Sequence, residues 1–361
     1  MSRQTLFSVL VSLACLSAPD AGAQASFPAP TKTLYDSPHK EQKSGVQIRD
    51  NQIIIQTGVG TPSTVNTVAF SPDSKYLVAG KDFGRIVVWS LTDYSVVHVI
   101  DSKQGIVSAV AISPDDSLLA SAGSENNSKI VLWDLRSGKR RTEFSVDRPV
   151  VQALNFSADG NFLIVRENGA ASVIDLRSKQ RIELPGERLP VLSLNGAKLL
   201  SDNGTSLILR SIGDWQSTNV FALPWKETWP LAIDASQNLI VYGDPTEKES
   251  FFAAKLDAPQ QVQARGSGLP QFNPSMGFFA TILPGKPIVF GHMDGRLWIW
   301  NVPTGKICLS PILYSEAGAL NSDGKILAGS IDNGIFSSGK TQPGVEIWDV
   351  SDLLRSCQLE D

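Results

Sequence analysis

One spacing constrains this chain more than any other feature. Two copies of Ser-Pro-Asp, beginning at Ser71 and Ser113, stand 42 residues apart, and each is followed by a tryptophan, Trp89 and Trp133, 44 residues apart. Between these markers the sequence repeats one grammar. Residues 107–112 alternate toward Ser113-Pro114-Asp115-Asp116, where proline fixes φ at the first corner of a turn. Residues 118–122 are small and apolar and end at Gly123-Ser124. Residues 129–133 alternate up to Asp134, and 140–144 follow the turn Leu135-Arg136-Ser137-Gly138-Lys139. Four short strands in about 40 residues is the period of a propeller blade. Residues 65–100 repeat it.

Trp133-Asp134 and Trp348-Asp349 close two third strands, with Trp89-Ser90 and Trp300-Asn301 as near matches. At these residues, in phase with the Ser-Pro-Asp turns, the chain resembles the WD-repeat (Trp-Asp repeat) β-propeller family. The resemblance covers most of 52–350. It implies an all-β fold: a single seven-bladed β-propeller of four-stranded antiparallel blades.

The middle repeats are degenerate. Residues 150–184 keep Ser157-Ala158-Asp159-Gly160 and put Ile174-Asp175 in place of the Trp-Asp pair. Residues 189–222 have Asn195-Gly196 near the first turn and Leu209-Arg210 where the pair is expected. Residues 228–262 offer Asp234-Ala235-Ser236-Gln237, then an apolar run at 251–256. Residues 263–276 read as a long connection. The sixth repeat starts at Phe278 and the seventh at Gly318, with the turn Asn321-Ser322-Asp323-Gly324 and a Gly/Ser-rich insertion at 333–344. After Val350 no fourth strand is evident, while 52–56 (QIIIQ) is a spare one. Ring closure by 52–56 pairing with 345–350 is therefore expected, because closure removes exposed sheet edges. WD-repeat propellers commonly close this way.

Residues 1–25 read as a signal peptide: Arg3, an apolar core at 6–16, then Ala21-Gly22-Ala23 or Ala23-Gln24-Ala25 for cleavage. Residues 26–50, with Pro28, Pro30 and Pro38, read as a flexible linker, and 51–361 as the propeller. The expected compartment is periplasmic or extracellular. The alternative is a lipid anchor on Cys15 in an envelope-assembly lipoprotein. Export permits a disulfide between Cys308 and Cys357; two separate thiols are the other outcome. The 361 residues carry a net charge of −4 with both signs scattered, which argues against a nucleic-acid surface. No apolar run reaches the ~20 residues of a membrane-spanning helix.

Chemistry-bearing patterns are sparse. His39 falls in the linker, His98 in an outer strand and His292 in the turn Gly291-His292-Met293-Asp294-Gly295, with no metal-ligand spacing. No G-x-S-x-G elbow occurs, and Asp115-Asp116 is accounted for by turn formation. The turns beginning at Asp134 and Asn301 also resemble those of quinoprotein propellers, but Phe144 and Ile312 stand where that family has a tryptophan. The Gly-His dipeptide of WD repeats is missing as well; Gln104-Gly105-Ile106 stands in its place.

No catalytic, cofactor or metal residues are assigned, and no cofactor is expected. The resemblance implies a non-catalytic, monomeric scaffold for protein–protein interaction; a propeller enzyme, either a hydrolase/lyase or quinoprotein-like, is the alternative. Trp89, Trp133, Trp298, Trp300 and Trp348 are expected in the core. Trp215, Trp225 and Trp229 are expected in or beside loops, either packing under them or meeting a ligand. Turns between strands one and two, and three and four, share one face of a propeller. The other face holds the second-to-third turns and the blade-to-blade connections, and its stretches here are irregular: 123–128, 243–250, 263–276 and 333–344. Binding is expected there, with Trp225, Trp229, Glu125, Asn126, Glu247, Lys248, Phe272, Phe336 and Lys340 as candidate partner-binding residues.

Overall fold

The computed structural model describes residues 28–34, 46–49, 52–55, 64–124, 129–146, 150–167, 170–193, 198–215, 217–222, 229–234, 236–244, 246–247, 251–271, 279–293, 296–310, 317–331 and 344–359. Three strands precede the first blade: β1 (Lys32–Leu34), β2 (Val46–Arg49) and β3 (Gln52–Ile55). Blade one is β4 (Val65–Phe70), β5 (Tyr76–Lys81), β6 (Arg85–Ser90) and β7 (Val96–Asp101). Blade two is β8 (Val107–Ile112), β9 (Leu118–Gly123), β10 (Lys129–Asp134) and β11 (Arg140–Ser145). Blade three is β12 (Val151–Phe156), β13 (Phe162–Glu167), β14 (Ala170–Asp175) and β15 (Arg181–Leu184). Blade four is β16 (Arg188–Leu192), β17 (Lys198–Asp202), β18 (Ser206–Ser211) and β19 (Ser217–Ala222). Blade five is β20 (Trp229–Asp234), β21 (Leu239–Gly243), β22 (Phe251–Lys255) and β23 (Ala258–Arg265). Blade six is β24 (Phe279–Ile282), β25 (Ile288–Met293), β26 (Arg296–Asn301) and β27 (Ile307–Leu309). Blade seven has β28 (Gly318–Leu320), β29 (Ile326–Ile331) and β30 (Gly344–Asp349), and a short helix α1 (Val350–Ser356) follows. Blades one to six are antiparallel meanders in chain order.

The ring is closed by an N-terminal strand, but not the expected one. β1 pairs with β30 in the register Lys32↔Ile347, Thr33↔Glu346, Leu34↔Val345. The segment expected to close the ring does not pair with β30; over 52–55, β3 pairs with β2 as a separate two-stranded sheet that lies beside β1. The physical reason lies in what β1 buries. Leu34 is 1% exposed among Val65, Leu77, Val345 and Ile347, so a three-residue strand with one well-placed leucine closes the seam. The proposed linker at 26–50 thus contains two strands. The connection proposed from 263 is shorter, since β23 runs on to Arg265.

Among the described residues, seven hydrophobic clusters hold the ring, one at each junction between neighbouring blades. Val78, Ile86 and Val88 of blade one meet Val110 and Trp133 of blade two. Blade two meets blade three through Ala120, Leu132, Leu154 and Val165. The remaining junctions repeat the scheme, the last joining Ala328, Val345 and Ile347 to Leu77, Val87 and Trp89. The second and third strands are buried on both sides between blades and read as near-continuous apolar runs, whereas outer strands such as β7 and β11 alternate toward solvent.

The polypeptide after Val350 helps seal the ring. Asp349, the Asp of the last Trp-Asp pair, caps α1 by accepting from the backbone N–H of Ser351 and Asp352. Val350, Leu353, Leu354 and Leu359 pack with Leu283, Phe290 and Ile299 of blade six. Cys357 forms a disulfide with Cys308 across 5.7 Å between Cα atoms.

Candidate interaction surface

Each blade presents its third strand's penultimate side chain to the previous blade, and the degenerate repeats solve this position differently. In blade two Trp133 Nε1 donates to Ser121 Oγ at 2.8 Å, and Ser121 Oγ donates to Gln104 Oε1 at 2.6 Å. Gln104 Nε2 then donates to the carbonyls of Ser121 and Lys129. The glutamine therefore does the bridging that the missing histidine would do, and every buried polar atom of the trio has a partner.

Blade four rebuilds the same three positions with charge. Register places Arg210-Ser211, not Leu209-Arg210, where blade two has Trp133-Asp134, since Lys198 pairs with Ser211 as Leu118 pairs with Asp134. Ser201 donates to Glu187 Oε2 at 2.5 Å, and Arg210 forms an ion pair with the same carboxylate. Arg210 Nη1 also donates to the carbonyl of Trp215 at 2.6 Å. Trp215 itself packs edge-on against Phe162 at 5.0 Å, under its loop. In blade five the position shrinks to Ala254 and the bulk comes from Tyr242 on the adjacent strand, whose hydroxyl donates to Pro259 O. Burial pushes that phenol up to about 12.

Among the described residues, the face of first-to-second and third-to-fourth turns repeats one first-to-second turn in four of the blades. In three blades the turn serine both donates to the Asp two residues on and accepts the backbone N–H that starts the next strand: Ser71 with Asp73, Ser113 with Asp115, Ser157 with Asp159. Asn321 plays the same part in blade seven. Hydrogen bonding from Ser113 holds the Asp115 carboxyl below its ordinary value. The bond from Ser137, then Arg141, does the same for Asp134, which caps the third-to-fourth turn of blade two. Neighbouring turns also join across the ring: Asn321 Nδ2 donates to Ser74 Oγ and Ser322 Oγ to Pro72 O. Gln237 reaches the carbonyls of Leu283 and Lys286. The polar groups of this face are largely spent on one another.

The opposite face carries the longer and more varied connections. Of the candidate residues placed there from sequence, Glu125, Asn126, Trp225, Lys248, Phe272, Phe336 and Lys340 lie outside the described residues. Glu247 follows a turn in which Asp244 accepts from Thr246 N and Oγ1, and it is half-buried. Trp229 is not in a connection. It is the first residue of β20, half-buried against the core between blades five and six. His292 is likewise no turn residue; it lies in β25 opposite Phe279 and Leu297 and is 2% exposed. His98 in β7 makes a 2.5 Å bond from Nε2 to Arg136 O. Two exposed apolar residues on this face, Phe83 and Ile106, were not singled out by the sequence reading. For Phe83 the signal was a Phe-Gly pair at the position where the sequences of blades three, four and six read Asn-Gly or Asp-Gly.

Among the described residues no group of three His, Cys, Asp or Glu side chains could hold a metal ion, and no helix is long and apolar enough to cross a membrane.

Comparison with known proteins agrees with this architecture. Residues 53–90 and 94–134 match the model of the WD domain, G-beta repeat family. The small ribosomal subunit protein RACK1y of Oryza sativa subsp. japonica is 32% identical over 124 residues, covering 34% of this chain and 36% of that protein. RACK1 of Caenorhabditis elegans is 30% identical over 135 residues, 37% of this chain and 40% of the relative. Transducin beta-like protein 3 of Bos taurus is 30% identical over 149 residues, covering 37% of this chain and 19% of the relative. The matched stretch thus spans two-fifths or less of each of these curated relatives. Among solved structures, Kuenenia stuttgartiensis hydrazine synthase superposes with a TM-score of 0.60 at 15% identity, covering 75% of this chain and 93% of that one. The Cps50 (Swd1) β-propeller domain of Myceliophteria thermophila gives 0.60 at 16%, covering 79% and 96%. At these identities the structural matches speak for the fold alone.

Proposed function

We propose that this divergent WD-repeat propeller is an exported, non-catalytic scaffold that binds a protein partner on the face of second-to-third turns and blade-to-blade connections. One observation carries the reading: the asymmetry between the two faces. On one face serine–aspartate turns consume their own polar groups, and the turns of blade seven brace those of blade one. The other face holds the connections that differ from blade to blade, and variable loops on a rigid frame are where binding concentrates. The relatives are WD-repeat proteins, a class that works as interaction scaffolds. Export is supported by the signal-like pattern at 1–25 and by the Cys308–Cys357 bridge, which persists in an oxidising compartment.

The experiment has two parts. Mass spectrometry of the mature N-terminus reads export directly: a chain starting near Ala23 to Ser26 supports it, and an intact Met1 in the cytoplasmic fraction refutes it. For the face, a partner is isolated with the wild-type protein, and its affinity is then measured for Thr246→Lys and for Asp115→Lys with Asp159→Lys. Loss of at least tenfold in the first and little change in the second is expected. The reverse pattern would mean that the uniform face binds.

A further inference from the structure

The last residue of a third strand caps the segment that follows it. Asp134, Asp175 and Asp349 hold this position in blades two, three and seven, each opposite the first residue of its second strand. Each accepts backbone N–H groups: Ser137 for Asp134, Arg177 and Ser178 for Asp175, Ser351 and Asp352 for Asp349. In blade five the same register, Leu239↔Lys255, puts a lysine there. The charge is reversed, and the turn it would cap is cut short. Only Leu256 and Asp257 join β22 to β23, whereas blades two and six spend 135–139 and 302–306 on the same turn. The fourth strand takes up the difference in bulges: Ala254 pairs with Val262 and Lys255 with Ala258, so 259–261 fall outside the ladder.

Beside this shortened turn lies a groove of about 400 Å³ between blades five and six, on the face of first-to-second and third-to-fourth turns. Buried Leu239 and Val302 line it together with Pro287 and Pro303. The exposed Lys255 also lines it, with Asn238 and Gln263. Asn238 spends its Oδ1 on Asp257 N. Among the described residues Lys255 forms no ion pair, and neither Asn238 Nδ2 nor the Gln263 amide is hydrogen-bonded. The neighbouring acids do not answer the lysine. Asp234 accepts from Ser236 and Gln237, and no ion pair joins Asp257 to Lys255. Lys286, on the turn that carries Pro287, adds further positive charge. One ammonium and two amides thus meet over an apolar lining, with no acceptor for them among the described residues. Bulges that re-aim a side chain in this way are over-represented beside binding sites.

We infer that this groove binds an acidic side chain, Asp or Glu, carried on an extended peptide segment beside an apolar residue. The donors select the anion. An ammonium with two amides matches the lone pairs of a carboxylate, and hydrogen bonds to a charged group are the strong ones. Phosphate is better met by a guanidinium fork, and no arginine lines the groove. Leu239, Val302 and the two prolines receive the apolar neighbour, and proline offers apolar surface without an N–H to leave unsatisfied. The volume is that of a ligand cleft. The groove is half open to solvent, so the chain carrying the acid can run on past it. The site lies on the face opposite the proposed partner surface, so it goes beyond the scaffold reading and does not depend on it.

The test titrates the full mature protein, labelled for NMR, with the blocked dipeptide N-acetyl-leucyl-glutamate amide and with its glutamine isostere. The acidic peptide is expected to shift the amide signals of Asn238, Leu256 and Gln263 and to bind about tenfold more tightly than the isostere. Lys255→Met should remove that difference. Lys255→Glu should reverse the preference, toward N-acetyl-leucyl-lysine amide. Lys255 is exposed, so both variants should melt with the wild type; the wild-type comparison of the two peptides decides the matter even if a variant misfolds. Equal affinities for the acidic peptide and its isostere, shifts confined to other parts of the ring, or no binding at all overturn the inference. Inorganic phosphate bound as tightly as the peptide would mean a bare anion site, and hexanoate bound as tightly a free carboxylic acid site; either overturns the peptide assignment. None of these outcomes bears on the partner face.

Discussion

Removing β1 should open the ring. Leu34 is the side chain that matters most: it is 1% exposed and sits among Val65, Leu77, Val345 and Ile347. Truncating a leucine so enclosed costs about 3 kcal/mol. Three register pairs link β1 to β30, and Thr31 Oγ1 accepts from Asp349 N; at ~1 kcal/mol each for the net hydrogen bonds, losing the whole strand costs roughly 5 kcal/mol or more. For a domain of this size each kcal/mol shifts the melting temperature by about 2 °C. Three variants should therefore be compared by circular dichroism melts: a chain starting at residue 28, one starting at 45, and Leu34→Ala. The first should melt like the mature protein. Leu34→Ala should melt about 6 °C lower and the chain starting at 45 about 10 °C lower. The shortened chain should also aggregate, since Val345 and Ile347 would border a bare sheet edge. Coincident melts for the chains starting at 28 and 45 would refute closure by β1.

Three further outcomes follow from the interior. Arg210→Met leaves Glu187, 3% exposed, without its charge partner and should cost ~3–5 kcal/mol in denaturant melts, most of it recovered by adding Glu187→Leu. Burial pushes Glu346 from its ordinary value of 4.5 up to about 7. The folded state then holds this proton more tightly than the unfolded one, so stability should fall as pH rises from about 4.5 to 7, by up to ~3 kcal/mol; Glu346→Gln should flatten that slope, and an unchanged slope would count against it. Cys357→Ser opens a bridge spanning 49 residues of sequence and should cost roughly 4 kcal/mol on chain-entropy grounds, while thiol titration of the unfolded, unreduced mature wild type should find no free thiol.

The blades were legible because their turns are written in local chemistry. A serine that bonds to an Asp two residues on and then starts the next strand is the same instruction at Ser71, Ser113 and Ser157, and it holds whatever packs around it. The closing strand was not legible. Lys32-Thr33-Leu34 is too short to show a period and lies among prolines, and only the seam left between Val65 and Val345 makes it a strand. Conversely QIII at 52–55 has the composition of a strand and is one, but its partner Val46–Arg49 is local. Arg210 was misplaced by one residue because without a tryptophan nothing in the sequence marks the outer-strand bulge between Leu209 and Arg210. Gln104 and Glu187 could not be recognised as histidine substitutes until Ser121 and Ser201 were seen beside them. Of the proposed surface, the face was derivable from strand order; which side chains project from it was not, because Phe83 stands out only through its exposure.

The central claim is that a partner covers the face of second-to-third turns and blade-to-blade connections. Hydrogen–deuterium exchange of the mature protein, free and in complex with its isolated partner, reads this without altering a residue. Slowed exchange is predicted in peptides covering 82–84, 102–106 and 244–247. Slowing confined to 71–74, 113–116, 157–160 and 321–324 would contradict it.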